Sequence, residues 1–266
     1  MPSVRDPWPA RIKRAEALAS RGGDGSELLV LYGRLLRIQQ GIYGQLSGNG
    51  GAGPSGALDR DLPCLQTTMR EALVALVAIA PEPLAADGHR LADGGDAAVA
   101  DALVAHWRAP SDRQFYAKAL LQPYAEWLAQ ARIRPLGREL VADGQRCPFC
   151  GGTPQCSVLH VVDDSASGGG GRRLLCATCL GEWPVRRVLC VHCGEEDERK
   201  LGYFQTPAFD CLRVDACDTC QRYLKAVDLT RVGLAVPLVD EVAGAPLDIW
   251  ARERGYTKIE LNLLGL

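Results

Sequence analysis

The apolar positions of the first half recur at helical spacing. Leu28, Tyr32, Leu35, Gln39, Ile42 and Leu46 step by four and three, the stripe of an amphipathic helix. Gly33, Gly41 and Gly44 fall within it and weaken its intrinsic preference. Met69, Leu73, Leu76, Val77 and Ala80 predict a second helix, stopped by Pro81 and Pro83. Val99, Leu103, His106 and Trp107 predict a third. Ser111 with Gln114 reads as a capping box opening a fourth, which carries Phe115, Ala119, Leu120, Tyr124, Trp127 and Leu128. Pro123 inside that pattern predicts a kink or a split. Ile12, Ala15 and Leu18 allow a short leading helix, and the turn-rich stretch 47–56 (SGNGGAGPSG) reads as a loop.

From Gln145 to Asp228 the period changes. Short β-type runs (SVLHVV, RRLL, VRRVL, KLGYF, CLRV and YLKAV) alternate with cysteine-bearing turns, and the run 163–171 (DDSASGGGG) reads as a hairpin tip. The segment repeats itself, since one C-x-x-C pair, a hairpin and a second C-x-x-C pair occur twice in the same order. A last segment, 237–266, predicts one helix near Leu247 to Arg254 and an apolar tail.

Cysteine count sharpens the picture. Of 11 cysteines, eight fall into four C-x-x-C pairs: Cys147/Cys150, Cys176/Cys179, Cys190/Cys193 and Cys217/Cys220. Chance would supply roughly 0.45 such pairs at this composition, so the spacing is metal-ligand spacing. Two such turns at the base of a hairpin can complete a tetrahedral four-sulfur shell, which suits zinc or rubredoxin-type iron. The repeat assigns Cys147, Cys150, Cys176 and Cys179 to one site and Cys190, Cys193, Cys217 and Cys220 to another. A cross-braced pairing, first with third and second with fourth, is the alternative. Four protein thiolates leave no open coordination position, which argues against metal hydrolysis and favours metals that hold small hairpins together. Cys64, Cys156 and Cys211 read as buried spectator thiols, His192 as part of a metal-binding turn, and the run 195–200 (EEDERK) as a solvated face. His89, His106 and His160 form no ligand spacing, and no phosphate-binding, dinucleotide or nucleophile motif is present.

Net charge is −2, so no global basic field recruits nucleic acid. Residues 146–225 hold ten Lys/Arg and ten Asp/Glu, and a divalent metal with four thiolates adds −2 per site. That makes a zinc-ribbon nucleic-acid binder the lesser reading. A thiol or iron redox protein is the other alternative, but a redox C-x-x-C opens a helix after a strand in a βαβ unit, and no such unit is legible. The longest apolar run, 72–81, is about half a membrane span, and the first residues lack the apolar core of a secretory signal, so a cytoplasmic chain without membrane insertion is expected.

The runs CPFCGGTP, LLCATCLGEWPVRRVLCVHCG, LGYF and CDTCQRYLK resemble the formate dehydrogenase accessory protein FdhE family, through Trp183, Arg187, Tyr223, Leu224 and Lys225 as well as the cysteines. The likeness continues more weakly in 31–40 and 247–256. It implies an α+β fold: an N-terminal helical domain (1–143), two tandem rubredoxin-like or zinc-ribbon-like metal modules (144–188 and 189–230) and a C-terminal helical tail (231–266). It further implies a non-enzymatic assembly factor that engages the catalytic subunit of a respiratory formate dehydrogenase and forms dimers. Two metal ions per chain are expected, iron before zinc. Trp183, Arg187 and Tyr223 are candidate partner anchors, because Trp, Tyr and Arg dominate binding hot spots; the competing reading puts Trp183 and Tyr223 in a small core over the metal turns.

Overall fold

The computed structural model describes residues 7–23, 25–48, 53–140, 144–161 and 171–266. The predicted hairpin tip at 163–171 lies almost wholly outside them, as does the middle of the predicted loop at 47–56.

Six helices come first: α1 (Trp8–Ala19), α2 (Ser26–Gly48), α3 (Leu58–Ile79), α4 (Glu82–Asp93), α5 (Gly95–Arg108) and α6 (Phe115–Ala131). The α2 stripe is buried as its spacing requires, and it packs on α1, α3 and α6. Helix α3 is long and apolar enough to cross a membrane, yet Leu62, Leu65, Met69, Leu73 and Leu76 are in the protein core. Helix α4 was not expected. Pro81 is its N-cap and Pro83 lies in its first turn, where a missing N–H costs nothing. Gly88 allows α4 to settle against Val77 and Tyr116, and the Tyr116 hydroxyl donates to the Leu84 carbonyl at 2.8 Å.

Two expectations for α6 are corrected. Gln114, not Ser111, is the N-cap residue, and its Oε1 accepts from His106 Nδ1 (2.9 Å) rather than reaching back to close a capping box. Pro123 does not split the helix. The carbonyl that proline leaves without its helical donor, that of Ala119, accepts from Gln39 Nε2 at 2.8 Å.

The rest forms one seven-stranded sheet from β1 (Pro154–Leu159), β2 (Arg172–Cys176), β3 (Glu182–Pro184), β4 (Leu201–Gln205), β5 (Leu212–Cys217), β6 (Arg222–Asp228) and β7 (Thr257–Lys258). Each sequence repeat contributes an antiparallel three-stranded unit, and β1 joins β6 in parallel, giving the order β3-β2-β1-β6-β5-β4 with β7 on β6. The run VRRVL is not a strand; β3 ends at Pro184, and a proline there has no N–H for the ladder. Two short helices, α7 (Pro237–Ala243) and α8 (Ala245–Glu253), follow the sheet, and only α8 was expected.

Helix α7 ties the halves together. Arg14 of α1 donates to Asp240 at 2.5–3.2 Å, while Arg11 forms a bidentate pair with Glu126 of α6 at 2.8 Å. Beneath α7 and α8 lie four fully buried charges, Lys225, Lys258, Glu241 and Asp248. Lys225 reaches Glu241 at 2.8 Å and Asp248 at 2.5 Å, and Lys258 bonds both carboxylates too. Burial alone would raise the Glu241 carboxyl, but the two ammonium groups outweigh it and hold the carboxyl at about 2. Two positive and two negative charges balance, and Tyr223, Gln155 and Asn262 satisfy remaining carboxylate lone pairs. One hydrophobic core runs from Trp8 through both regions to Leu263.

Candidate metal centres

Four turns of one design gather the eight cysteines. In the first, the Cys147 N–H donates to the Gly152 carbonyl (2.9 Å) and the Gly151 N–H to the Cys147 carbonyl (2.8 Å). The third copies it with Cys190, Glu195 and Gly194 at 2.8 and 2.9 Å. The residue after the second cysteine of each turn has positive φ: Gly151 (71°), Leu180 (57°), Gly194 (79°) and Gln221 (54°). This left-handed step aims both sulfurs to one side, and glycine adopts it at least cost. Gly151 is needed for space as well, since a Cβ there would run into the Glu139 carbonyl.

The result is two groups of four sulfurs, Cys147, Cys150, Cys176 and Cys179, and Cys190, Cys193, Cys217 and Cys220, each lying within 4.8 Å of one another. The grouping is sequential; the cross-braced alternative is not formed. Cross-turn sulfur separations are 3.7 Å (Cys147–Cys179), 3.4 Å (Cys150–Cys176), 3.7 Å (Cys190–Cys220) and 3.7 Å (Cys193–Cys217). A tetrahedral ion with bonds of about 2.3 Å requires edges of about 3.8 Å, so both groups could hold a metal ion. The separations are far beyond the disulfide bond length of about 2.05 Å. No histidine or carboxylate joins either group among the described residues.

The electrostatics match a cation-requiring donor set. Hydrogen bonds from Cys150, Cys176 and Cys179 hold the Cys147 thiol far below its ordinary range. Burial pushes Cys176 well up, and hydrogen bonding with Cys147 does the same to Cys179. Cys150 is also shifted down, so two thiolates form readily and two resist, and a divalent cation would let all four ionise.

The first centre is clamped to the helices by residues no motif announced. Gln39 Nε2 also donates to Gln122 Oε1 (3.2 Å), and Gln122 Nε2 donates to the Ala177 carbonyl (2.9 Å), inside the Cys176–Cys179 turn. Arg138 Nε donates to the Cys150 carbonyl (2.7 Å), with its guanidinium over Trp107. The sole sequence signal was Gln39, a polar residue in an otherwise apolar stripe. In the second centre, Glu195 accepts from Thr219 Oγ1 at 2.5 Å and from the N–H groups of Glu196 and Asp197. Thr219 lies in the Cys217–Cys220 turn, so Glu195 fastens one metal turn to the other and is not simply part of a solvated face. These bonds, Thr219's first, hold its carboxyl at about 2.

Two candidate anchors are corrected. Trp183 is buried and donates to the Gly144 carbonyl (3.0 Å); Tyr223 is fully buried and donates to Asp248 (2.8 Å). Both are core, as the competing reading had it. Arg187 is exposed. Cys156 and Cys211 are buried, whereas Cys64 is exposed and so is not a buried thiol. His106 and His160 bond Gln114 and Glu182, away from the sulfurs.

Comparison with known proteins agrees with this architecture. Residues 188–264 match the family model for the FdhE C-terminal domain. The FdhE homolog of Aquifex aeolicus is 38% identical over 119 residues, covering 45% of this chain and 41% of that one. The homolog of Edwardsiella ictaluri is 31% identical over 179 residues, 65% of this chain and 55% of that one. The chain thus spans about half the length of the curated relatives it matches. The crystal structure of the FdhE protein from Pseudomonas aeruginosa superposes with a TM-score of 0.67 at 25% identity, over 99% of this chain and 97% of that chain. The chain is thus similar to FdhE proteins, in fold along nearly its whole length and in sequence most of all over residues 188–264, the part that matches the FdhE C-terminal domain.

Proposed function

We propose that the chain is an accessory factor for formate dehydrogenase rather than an enzyme. In this reading it acts in the cytoplasm as a homodimer and engages the catalytic subunit of a respiratory formate dehydrogenase during maturation. Similarity to FdhE proteins in fold and in the 188–264 segment is the observation that carries it. The donor sets support it, since four thiolates per ion leave no position for a substrate. Cys147, Cys150, Cys176 and Cys179 hold one metal, and Cys190, Cys193, Cys217 and Cys220 the other. Both are iron where iron is plentiful, because an all-thiolate tetrahedral shell accepts iron or zinc and availability decides. Of the three candidate anchors only Arg187 is at the surface, and it remains a candidate contact for the client.

The test is deletion of the gene in a host that makes a respiratory formate dehydrogenase. Membrane formate oxidation is expected to fall and to return on complementation, and affinity capture from the same cytoplasm should recover the catalytic subunit. Full activity in the deletion strain with no association between the two proteins would refute the reading.

A further inference from the structure

The two cysteine groups are alike in geometry and unlike in surroundings. In the inner group Cys147, Cys150, Cys176 and Cys179 are each 2% exposed or less. Gln122 of α6 clamps one of its turns, Arg138 clamps the other, and a Cβ at Gly152 would come within 2.8 Å of Cys176 Sγ; a cleft of about 370 Å³ lies against these turns, but none of the four cysteines lines it. In the outer group Cys193 is exposed and Cys220 is half-buried. Its other two members, Cys190 and Cys217, line a cleft of about 510 Å³ between the two repeats, whose charged lining is four arginines (Arg172, Arg187, Arg213 and Arg222) against two carboxylates (Glu198 and Asp215), a net positive surface. The outer sulfurs can therefore be reached from two directions and the inner sulfurs from neither.

We infer that the two centres divide their labour: the inner one is a permanent staple, and the outer one is a metal-exchange site that trades its ion with small anionic ligands, thiols and polycarboxylates among them. The inference rests on the reading that both groups bind metal. Exchange at a four-thiolate ion proceeds when an incoming donor bonds the metal as a cysteine sulfur leaves and takes up a proton; no electron is transferred. Such an ion carries a −2 shell and repels an anionic donor, and the arginines beside Cys190 and Cys217 offset that repulsion. Among the described residues, the arginine-bearing cleft beside the inner centre touches its turns and none of its cysteines.

The experiment uses the full chain loaded with zinc and challenged with excess 4-(2-pyridylazo)resorcinol, an anionic chelator that reports released zinc. Two zinc ions per chain must be counted before the challenge, and a count below two refutes the metal reading, not the division of labour. Given two, one equivalent is expected to leave at least tenfold faster than the other. Cys193→Ser should abolish the fast phase alone, and N-ethylmaleimide added as that phase ends should label Cys190, Cys193, Cys217 and Cys220 while sparing the inner four. The labelling pattern of the unaltered chain decides even if a variant fails to fold. Arg187→Gln should slow the fast phase severalfold with this chelator and leave it unchanged with neutral 1,10-phenanthroline. Release of both equivalents at one rate, or label on Cys147–Cys179 first, would overturn the inference, and an Arg187→Gln rate equal to the parent's would overturn the part given to the arginines.

Discussion

Gly151 and Gly194 occupy equivalent places in two copies of the same turn, with φ of 71° and 79°. A side chain at either is strained by the left-handed backbone, about 1–2 kcal/mol. At Gly194 the nearest obstacle is Gln145 Nε2 at 3.5 Å, whereas at Gly151 it is the Glu139 carbonyl in hard contact. Gly194→Ala should therefore cost about 1 kcal/mol and keep its metal, while Gly151→Ala should cost several times more, read by thermal unfolding and metal content of the two variants. Thiol chemistry offers a second prediction at this scale. Cys64 is exposed, burial pushes the Cys156 thiol far up, and burial with Asp240 nearby pushes Cys211 up to about 11. Iodoacetamide at pH 8 should label Cys64 fully and leave Cys156 and Cys211 untouched in the metal-loaded protein, as peptide mass mapping would show. Equal labelling of Cys156 would contradict its placement.

Among the elements, α6 shows what periodicity can and cannot reveal. Its apolar stripe was plain in the sequence, and Pro123 argued for a break. The helix continues because Gln39, 80 residues away on α2, supplies a donor to the Ala119 carbonyl. No local pattern records a bond between two helices, so proline chemistry alone misled. Pro81 and Pro83 do stop α3, which ends at Ile79 as expected, but they also start α4, which was not expected. The cysteine turns were legible for the opposite reason: spacing, glycine position and ligand type are all local. Gln39→Ala should leave a buried carbonyl without a donor and cost about 1–3 kcal/mol in urea unfolding of the metal-loaded protein. Gln122→Ala should cost a similar amount and loosen the Cys176–Cys179 turn, seen as faster amide exchange at Ala177 and Thr178. A neutral Gln39→Ala would mean that another donor reaches Ala119.

On the scale of the molecule, the sheet shared by the two repeats and the buried charges under α7 and α8 were not legible. The parallel β1–β6 pairing is non-local, and Lys225, Glu241, Asp248 and Lys258 are scattered over 34 residues of sequence. Their pH dependence has a definite sign. The Glu241 carboxyl lies at about 2 when folded against an ordinary 4.5, so its contribution is complete above pH 4.5 and is lost as pH falls toward 2. The stability gap between the parent and Glu241→Gln, on the order of 3 kcal/mol at pH 6, should narrow steadily below pH 4.5 in denaturant titrations. A gap that widens on acidification would contradict the buried network. The central expectation is that each of the two four-cysteine groups closes around one metal ion. The most direct test is X-ray absorption with elemental analysis on anaerobically purified protein. It should give two metal ions per chain, each with four sulfur neighbours at about 2.3 Å and no nitrogen or oxygen ligand. One ion or none, or a light-atom ligand in either shell, would contradict it.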